Sequence, residues 1–568
     1  MTPLYRLTRV LFISLAALGT VLAVDPRALR AESLAGSYLA ANQANFDSDY
    51  KAAALYFARA VARDPGNTDL MQNLLLAHIG LGEIEKSLAV AGQMEALGAK
   101  SQLAELVILA DNVRRGEFAA ANRAFSEGQT FSPLLDGLLR GWVFLGLGRM
   151  SDATDTFEQM ADANAMAMFA DYNQALALAL VGDFEGAAEL FSQESDRPLR
   201  LGRSSLIAHV EILSQLERGD EALAMARSAL GDSGDPELLE LIGVLERGET
   251  LGFRTIRDAK DGAAEVFLTL ASVLAADEND RFALIYGRLA EFVRPGSVAA
   301  ILQVSKILNT QGQYDLAVEN YNKVPSDHPL FYSAEIGRSE ALQSAGKVEA
   351  GIEVLRSLSK GFRSIPNVHT ALGDALRRDS RFAEATKAYD AAIALLPERQ
   401  PAHWFLYYSR GITFERTDGW AKAEADFRLA LELSPDQPLV LNYLGYGLVE
   451  RREKLDEAQK MIRTAVSKRP NDGYITDSLG WVYYRLGKFA EAVDPMERVV
   501  ELLPVDPIIN DHLGDAYWMV GRILEARFQW RRALSFEPEE TDAKRIRRKL
   551  EVGLDEVLKV EATETATK

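Results

Sequence analysis

The residues best suited to chemistry here are six histidines, a large excess of carboxylates and a few glycine-rich turns. Their spacing assembles none of the usual sites. His78, His209, His328, His369, His403 and His512 show no pairing at metal-ligand spacing, so each reads as a structural or surface residue. Gly346-Lys347 and Gly487-Lys488 lack both the preceding glycine pattern and the following Ser or Thr of a phosphate-binding loop. Gly146-Leu147-Gly148 has no third glycine. Gly231-Asp232-Ser233-Gly234 has no strand before it, which a nucleophile elbow requires. The stretch from Arg257 to Gly262 lacks the first and third carboxylates of a calcium loop. With no cysteine, thiol catalysis, thiolate metal sites, disulfides and a lipid-modified N-terminal cysteine are excluded. The sequence therefore predicts no catalytic residue, no metal and no cofactor, in a chain that is not an enzyme.

What remains is binding, and charge restricts the partner. The 82 acidic residues outnumber the 63 basic ones, for a formal charge of -19. A field of that sign repels nucleic acid and anionic lipid and favours basic or neutral partners. The apolar share of 48% and charged share of 26% are those of a folded protein. Ala, Leu, Glu and Arg dominate, which biases the chain towards helix.

The first residues read as a targeting segment. Arg6 and Arg9 precede the apolar run Val10 to Val24 (VLFISLAALGTVLAV). As a helix this run spans roughly 22 Å, short of the ~30 Å hydrocarbon core and suited to a signal peptide. Cleavage is expected after Val21-Leu22-Ala23 or after Leu29-Arg30-Ala31. An uncleaved run would be a membrane anchor. Either way the bulk of the chain is expected outside the cytoplasm.

The elements that position any binding site follow a period near 34. In the C-terminal half Gly373, Gly411, Gly445, Gly480 and Gly514 recur, and Pro397, Pro435, Pro470, Pro504 and Pro538 close the units. Between them stand small alanines, among them Ala385, Ala392, Ala423, Ala430, Ala492, Ala526 and Ala533, beside bulky Tyr389, Phe427 and Trp530. Small residues let two antiparallel helices approach, large ones fill the space beside them, and proline fixes the turn into the next unit. Looser repeats precede these, with turns at Gly82, Gly116, Gly148, Gly182, Gly312 and Gly346. Counting turns gives about fifteen hairpins, each needing a neighbour to bury its apolar faces.

This order and period resemble the tetratricopeptide repeat. The resemblance implies an all-α, tetratricopeptide-type α-solenoid, a right-handed superhelix of helical hairpins. The expected boundaries are a signal peptide at 1–31, a degenerate array at 32–230 and an irregular unit or bend at 231–262. A second array follows at 263–538, then a capping helix and disordered tail at 539–568. In such solenoids the first helix of each hairpin lines a concave groove. On the helix from Tyr474 to Arg485, one stripe (Leu479, Gly480, Tyr483) serves packing. A second carries Tyr474, Asp477, Trp481 and Tyr484. Its counterparts are Tyr408 in one unit, Asn442 and Tyr446 in the next, and Asp511, Asp515 and Trp518 in the last. An aromatic and acidic groove of this kind suits a protein segment with apolar side chains and some positive charge. The alternative is that these rings pack against adjacent hairpins. The run from Leu439 to Pro538 also resembles bacterial envelope tetratricopeptide proteins. Some of those are adaptors for periplasmic C-terminal processing proteases. The partners expected are thus other proteins, with no nucleic acid and no small-molecule substrate. The second class of function is a component that recruits polysaccharide or secretion machinery from the inner membrane.

Overall fold

The computed structural model describes residues 34–162, 166–192, 202–231 and 233–566. The targeting stretch expected at 1–31 lies outside them. Among the described residues every regular element is helical, from Leu34–Phe46 to Leu554–Ala566, and consecutive helices pair into hairpins. The described residues divide into two compact units, the first ending at Phe362 and the second beginning at Arg363.

The local signals act as the sequence suggests. Asn67, Ser101, Ser132, Asp472 and Asp506 each cap a helix, their side-chain oxygens accepting from backbone N–H groups of the first turn. Inside a hairpin the first helix ends on a glycine such as Gly82 or Gly487, at φ +76° and +73°. That left-handed geometry is open to glycine at no steric cost.

The mid-helix glycines face the bulky residues of their hairpin partners. A methyl group at Gly514 would lie 2.5 Å from the Trp530 ring, and one at Gly411 2.7 Å from Phe427. The same relation holds between Gly373 and Tyr389. Ala423, Ala430, Phe427, Ala526, Ala533 and Trp530 are all fully buried. Overpacking therefore defines an expected outcome. Gly514→Ala should cost about 1–3 kcal/mol, offset in part by the ~1 kcal/mol that alanine gains in a helix. Urea melts of the two proteins measure the difference.

The first unit does more than stack. Its inner helices, Thr68–Leu81, Gln102–Arg114, Pro133–Gly146 and Ala167–Leu180, receive a later hairpin of the same chain, Ala259–Ala276 with Asp280–Val293. Gly262 lies against the buried Trp142 indole, too close to admit a side chain. The Tyr172 hydroxyl donates to Glu265 at 3.0 Å, and burial holds that carboxyl above the usual carboxylate range. Arg288 donates to the Gly80 carbonyl at 3.2 Å. Upstream, Glu211 accepts from the Arg254 and Thr255 backbone N–H groups, both at 3.0 Å, fixing the segment that leads into the hairpin.

Two expected boundaries need correction. The stretch 231–262 holds the helix Pro236–Glu246 and the start of Ala259–Ala276, and it lies inside the first unit. The units divide instead between Phe362 and Arg363, because the hairpin after the irregular stretch docks back onto the earlier array. The tail expected to be disordered after Val560 is helical to Ala566. Buried Leu554 and Val557 anchor that helix after a break at Gly553.

Candidate interaction surface

The candidate site belongs to the second unit, on the first helices of successive hairpins: Trp404–Glu415, Pro438–Glu450, Gly473–Arg485 and Pro507–Met519. The helix Glu540–Val552 follows them. Positions about one repeat apart share a face. One row reads Tyr408, Asn442, Asp477, Asp511, Arg545 and the next Ile412, Tyr446, Trp481, Asp515, Lys549. Seven of the ten expected site residues lie in these rows, and Tyr474, Tyr484 and Trp518 lie beside them on the same helices; the ten separate into two groups.

At the middle of the face the residues remain accessible. Tyr474 is 64% exposed. Asn442, Tyr446, Asp477 and Trp481 are half-buried, and the Oδ1 atom of Asn442 is buried without a hydrogen-bond partner. The Trp481 ring lies between Tyr484 and His512, with centroids 4.9 and 4.2 Å away and rings nearly parallel. Its Nε1–H donates to Glu450 at 2.6 Å. Burial raises the Tyr446 phenol's pKa, and the Glu450 and Asp477 carboxylates raise it further. The carboxylates around this aromatic surface have partners within the chain, Glu415 with Arg416 at 3.8 Å, Glu450 with Arg485 at 3.9 Å and Asp477 with His512 at 3.0 Å, so a basic group of a partner would share them while its apolar side chains meet the rings.

Towards the C-terminus the face is filled from within. Asp511 and Asp515 are buried and bound by the chain's own cations. Lys549 Nζ, itself fully buried, donates to Asp511 at 2.7 and 2.8 Å and to Asp515 at the same distances. Arg545 stands 3.6 Å from each carboxylate, and the Trp530 Nε1–H donates to Asp515 at 2.9 Å. Burial, with Asp515 beside it, raises the pKa of Asp511 against the lowering effect of Lys549. Trp518 packs beside Gly553 and donates to Asp555 at 3.1 Å, so its ring holds the last helix. Tyr408 and Tyr484 are buried. For these five residues the packing alternative describes what the structure shows. Lys549 belongs to the core of the last repeat, not to a polar cap.

A signal for this was present in the sequence. Lys549 follows Asp515 by 34 residues, and Arg545 follows Asp511 by the same interval. Opposite charges one repeat apart meet on adjacent first helices. Glu450, by contrast, carried no such signal, and its role beside Trp481 emerges only from the fold.

His512 links the two parts. Its Nδ1 lies 3.0 Å from Asp477. Burial alone would lower its pKa, but Asp477, with Asp511 and Asp515 behind it, outweighs burial and raises it above the ordinary 6.5. A histidine with a raised folded pKa adds stability that is fully present below its unfolded pKa. That stability is lost as pH rises through the folded value. The melting-temperature gap between the natural protein and His512→Gln should therefore be widest near pH ~5 and narrow towards pH ~8.5.

Hairpins stacked through small-to-large contacts, with an inner face partly open to solvent, define a helical-repeat scaffold for binding proteins. Comparison with known proteins agrees. The family described as "Tetratricopeptide repeat" matches residues 138–197, 370–438 and 448–507, so those three segments carry tetratricopeptide repeats. A relative in Pseudomonas aeruginosa, TPR repeat-containing protein PA4667, is 29% identical over 198 residues, 34% of this chain and 32% of its own length. Human tetratricopeptide repeat protein 13 is 27% identical over 189 residues, 32% of this chain and 21% of its own. The chain thus matches about a third or less of the length of these curated relatives. Among solved structures, the APC/C hetero-tetramer Cut9-Hcn1 has a TM-score of 0.40 at 15% identity, covering 94% of this chain and 99% of that one. A tetratricopeptide repeat protein from Parabacteroides merdae has a TM-score of 0.37 at 18% identity, covering 45% and 97%.

Proposed function

We propose that this protein is a non-catalytic adaptor of the bacterial periplasm, which binds partner protein segments on the exposed row of its second unit. The observation that carries the reading is the half-open surface of Tyr446, Tyr474, Asp477 and Trp481, ringed by Glu415 and Glu450. It suits a segment bearing apolar side chains and a basic residue. Arg6, Arg9 and the apolar run Val10 to Val24 support export. The resemblance of Leu439 to Pro538 to envelope adaptors supports service to a periplasmic protease or to envelope assembly. The second reading, an inner-membrane component of polysaccharide or secretion machinery, is favoured if the apolar run is retained as an anchor.

One preparation tests both. Protein purified from the envelope should begin at Val24 or Glu32 by mass spectrometry and should co-purify with an envelope protein in a salt-sensitive way. Recovery of chains that keep residues 1–23, or of a complex indifferent to salt, would overturn the adaptor reading.

A further inference from the structure

The first unit holds a cavity of about 590 Å³ that the repeat pattern does not announce. It lies where the helices Thr68–Leu81 and Gln102–Arg114 meet the docked helix Asp280–Val293. Its floor includes buried Met94, Leu106 and Ile285. Lys100 and Arg281 stand at the exposed mouth, and Asp69 is the one carboxylate in the lining. Among the described residues neither cation forms an ion pair; the contact shown for Arg281 is with the neutral side chain of Asn45, at 3.4 Å.

In a chain of net charge -19, this part-apolar, part-polar pocket has two cations and a single carboxylate at its lining. The volume is that of a site for a compact organic molecule. The docked hairpin covers the inner face along which an extended peptide would otherwise run. The geometry points to a binding site for a compact amphiphilic anion: an aliphatic body among Met94, Leu106 and Ile285, with a carboxylate head at Lys100 and Arg281. This goes beyond the adaptor role of the second unit and does not depend on it. The site is not legible in the repeat pattern, because the wall carrying Arg281 comes from a hairpin far along the chain.

Calorimetric titration of the full chain with decanoate, decanol and a leucine-terminated decapeptide tests the site. Decanoate should bind at least roughly fivefold more tightly than decanol, the difference arising from two mouth cations. Lys100→Gln combined with Arg281→Gln should erase that difference. Both side chains are exposed, so the variant should melt as the natural protein does. The Met94 methyl resonance should shift on titration with decanoate and stay in place with acetate. Equal affinity for decanoate and decanol, an unmoved Met94 signal, or a double variant that keeps the preference would overturn the proposal. Tighter binding of the decapeptide than of decanoate would overturn it as well, by making the ligand a peptide.

Discussion

Replacing Lys549 with methionine should unfold the second unit far more readily, by about 3–5 kcal/mol, because it leaves Asp511 and Asp515 buried without their main counterion. For a unit of this size that corresponds to a melting point lower by roughly 10 °C. The pH response should identify the cause. The Asp511 pKa is already raised, by burial and then by Asp515, even with the lysine in place. Without it the folded Asp511 value rises further above the unfolded one. The folded variant then holds more protons than the unfolded chain, so its stability should rise as pH falls from ~7 towards ~5. Exchanging both aspartates for asparagine in the same background should recover part of the loss. Calorimetric melts showing Lys549→Met to be as stable as the natural protein at neutral pH would refute the buried ion cluster.

An effect of similar size is expected at Trp142 in the first unit. The ring is fully buried, packs edge-on to Phe157 at 6.3 Å and donates from Nε1 to Asn173 at 2.7 Å. The ring also abuts Gly262 of the docked hairpin. Trp142→Ala should cost about 3–5 kcal/mol through the cavity it opens, with a further penalty for the Asn173 amide oxygen left without its donor. Because the ring seats the hairpin, amide hydrogens of Ala259–Ala276 should lose protection more than those of Tyr50–Arg63. Unchanged exchange in the 259–276 helix would show that the hairpin is held by other contacts.

The sequence shows this fold well where its determinants are local and poorly where they are not. Gly514 and Trp530, or Gly411 and Phe427, lie within one repeat, so a fixed period and the small-to-large alternation suffice to place them together. Docking of residues 259–293 onto the earlier helices rests on pairs such as Tyr172 with Glu265 and Arg288 with Gly80, which no period relates. The irregular sequence of 231–262 reads as a bend, and no repeat points to the cavity beside Arg281. At the surface the same division applies. Trp481 and Tyr474 follow from one helical stripe. The fate of Asp511 and Asp515 depends on Arg545 and Lys549 in the next helix, whose register becomes clear only once that helix is read as a further repeat. A polar composition in Glu540–Val552 suggests a cap, yet two of its cations complete a core.

If the half-open surface of the second unit binds protein as proposed, the cleanest probe is Tyr474, the side chain there that contributes least to packing. Tyr474→Ala should leave the melting temperature within a degree or two of the natural value, and adding Trp481→Phe, which gives up the Nε1–H bond to Glu450, should lower it modestly without unfolding the unit. Trp518→Ala serves as the contrasting packing variant and should lower it. Quantitative recovery of co-purifying envelope proteins by each chain is the measurement. The double variant should lose the partner by roughly tenfold or more, as removal of central aromatic contacts does, while remaining folded. Full partner recovery by a stably folded double variant would contradict it.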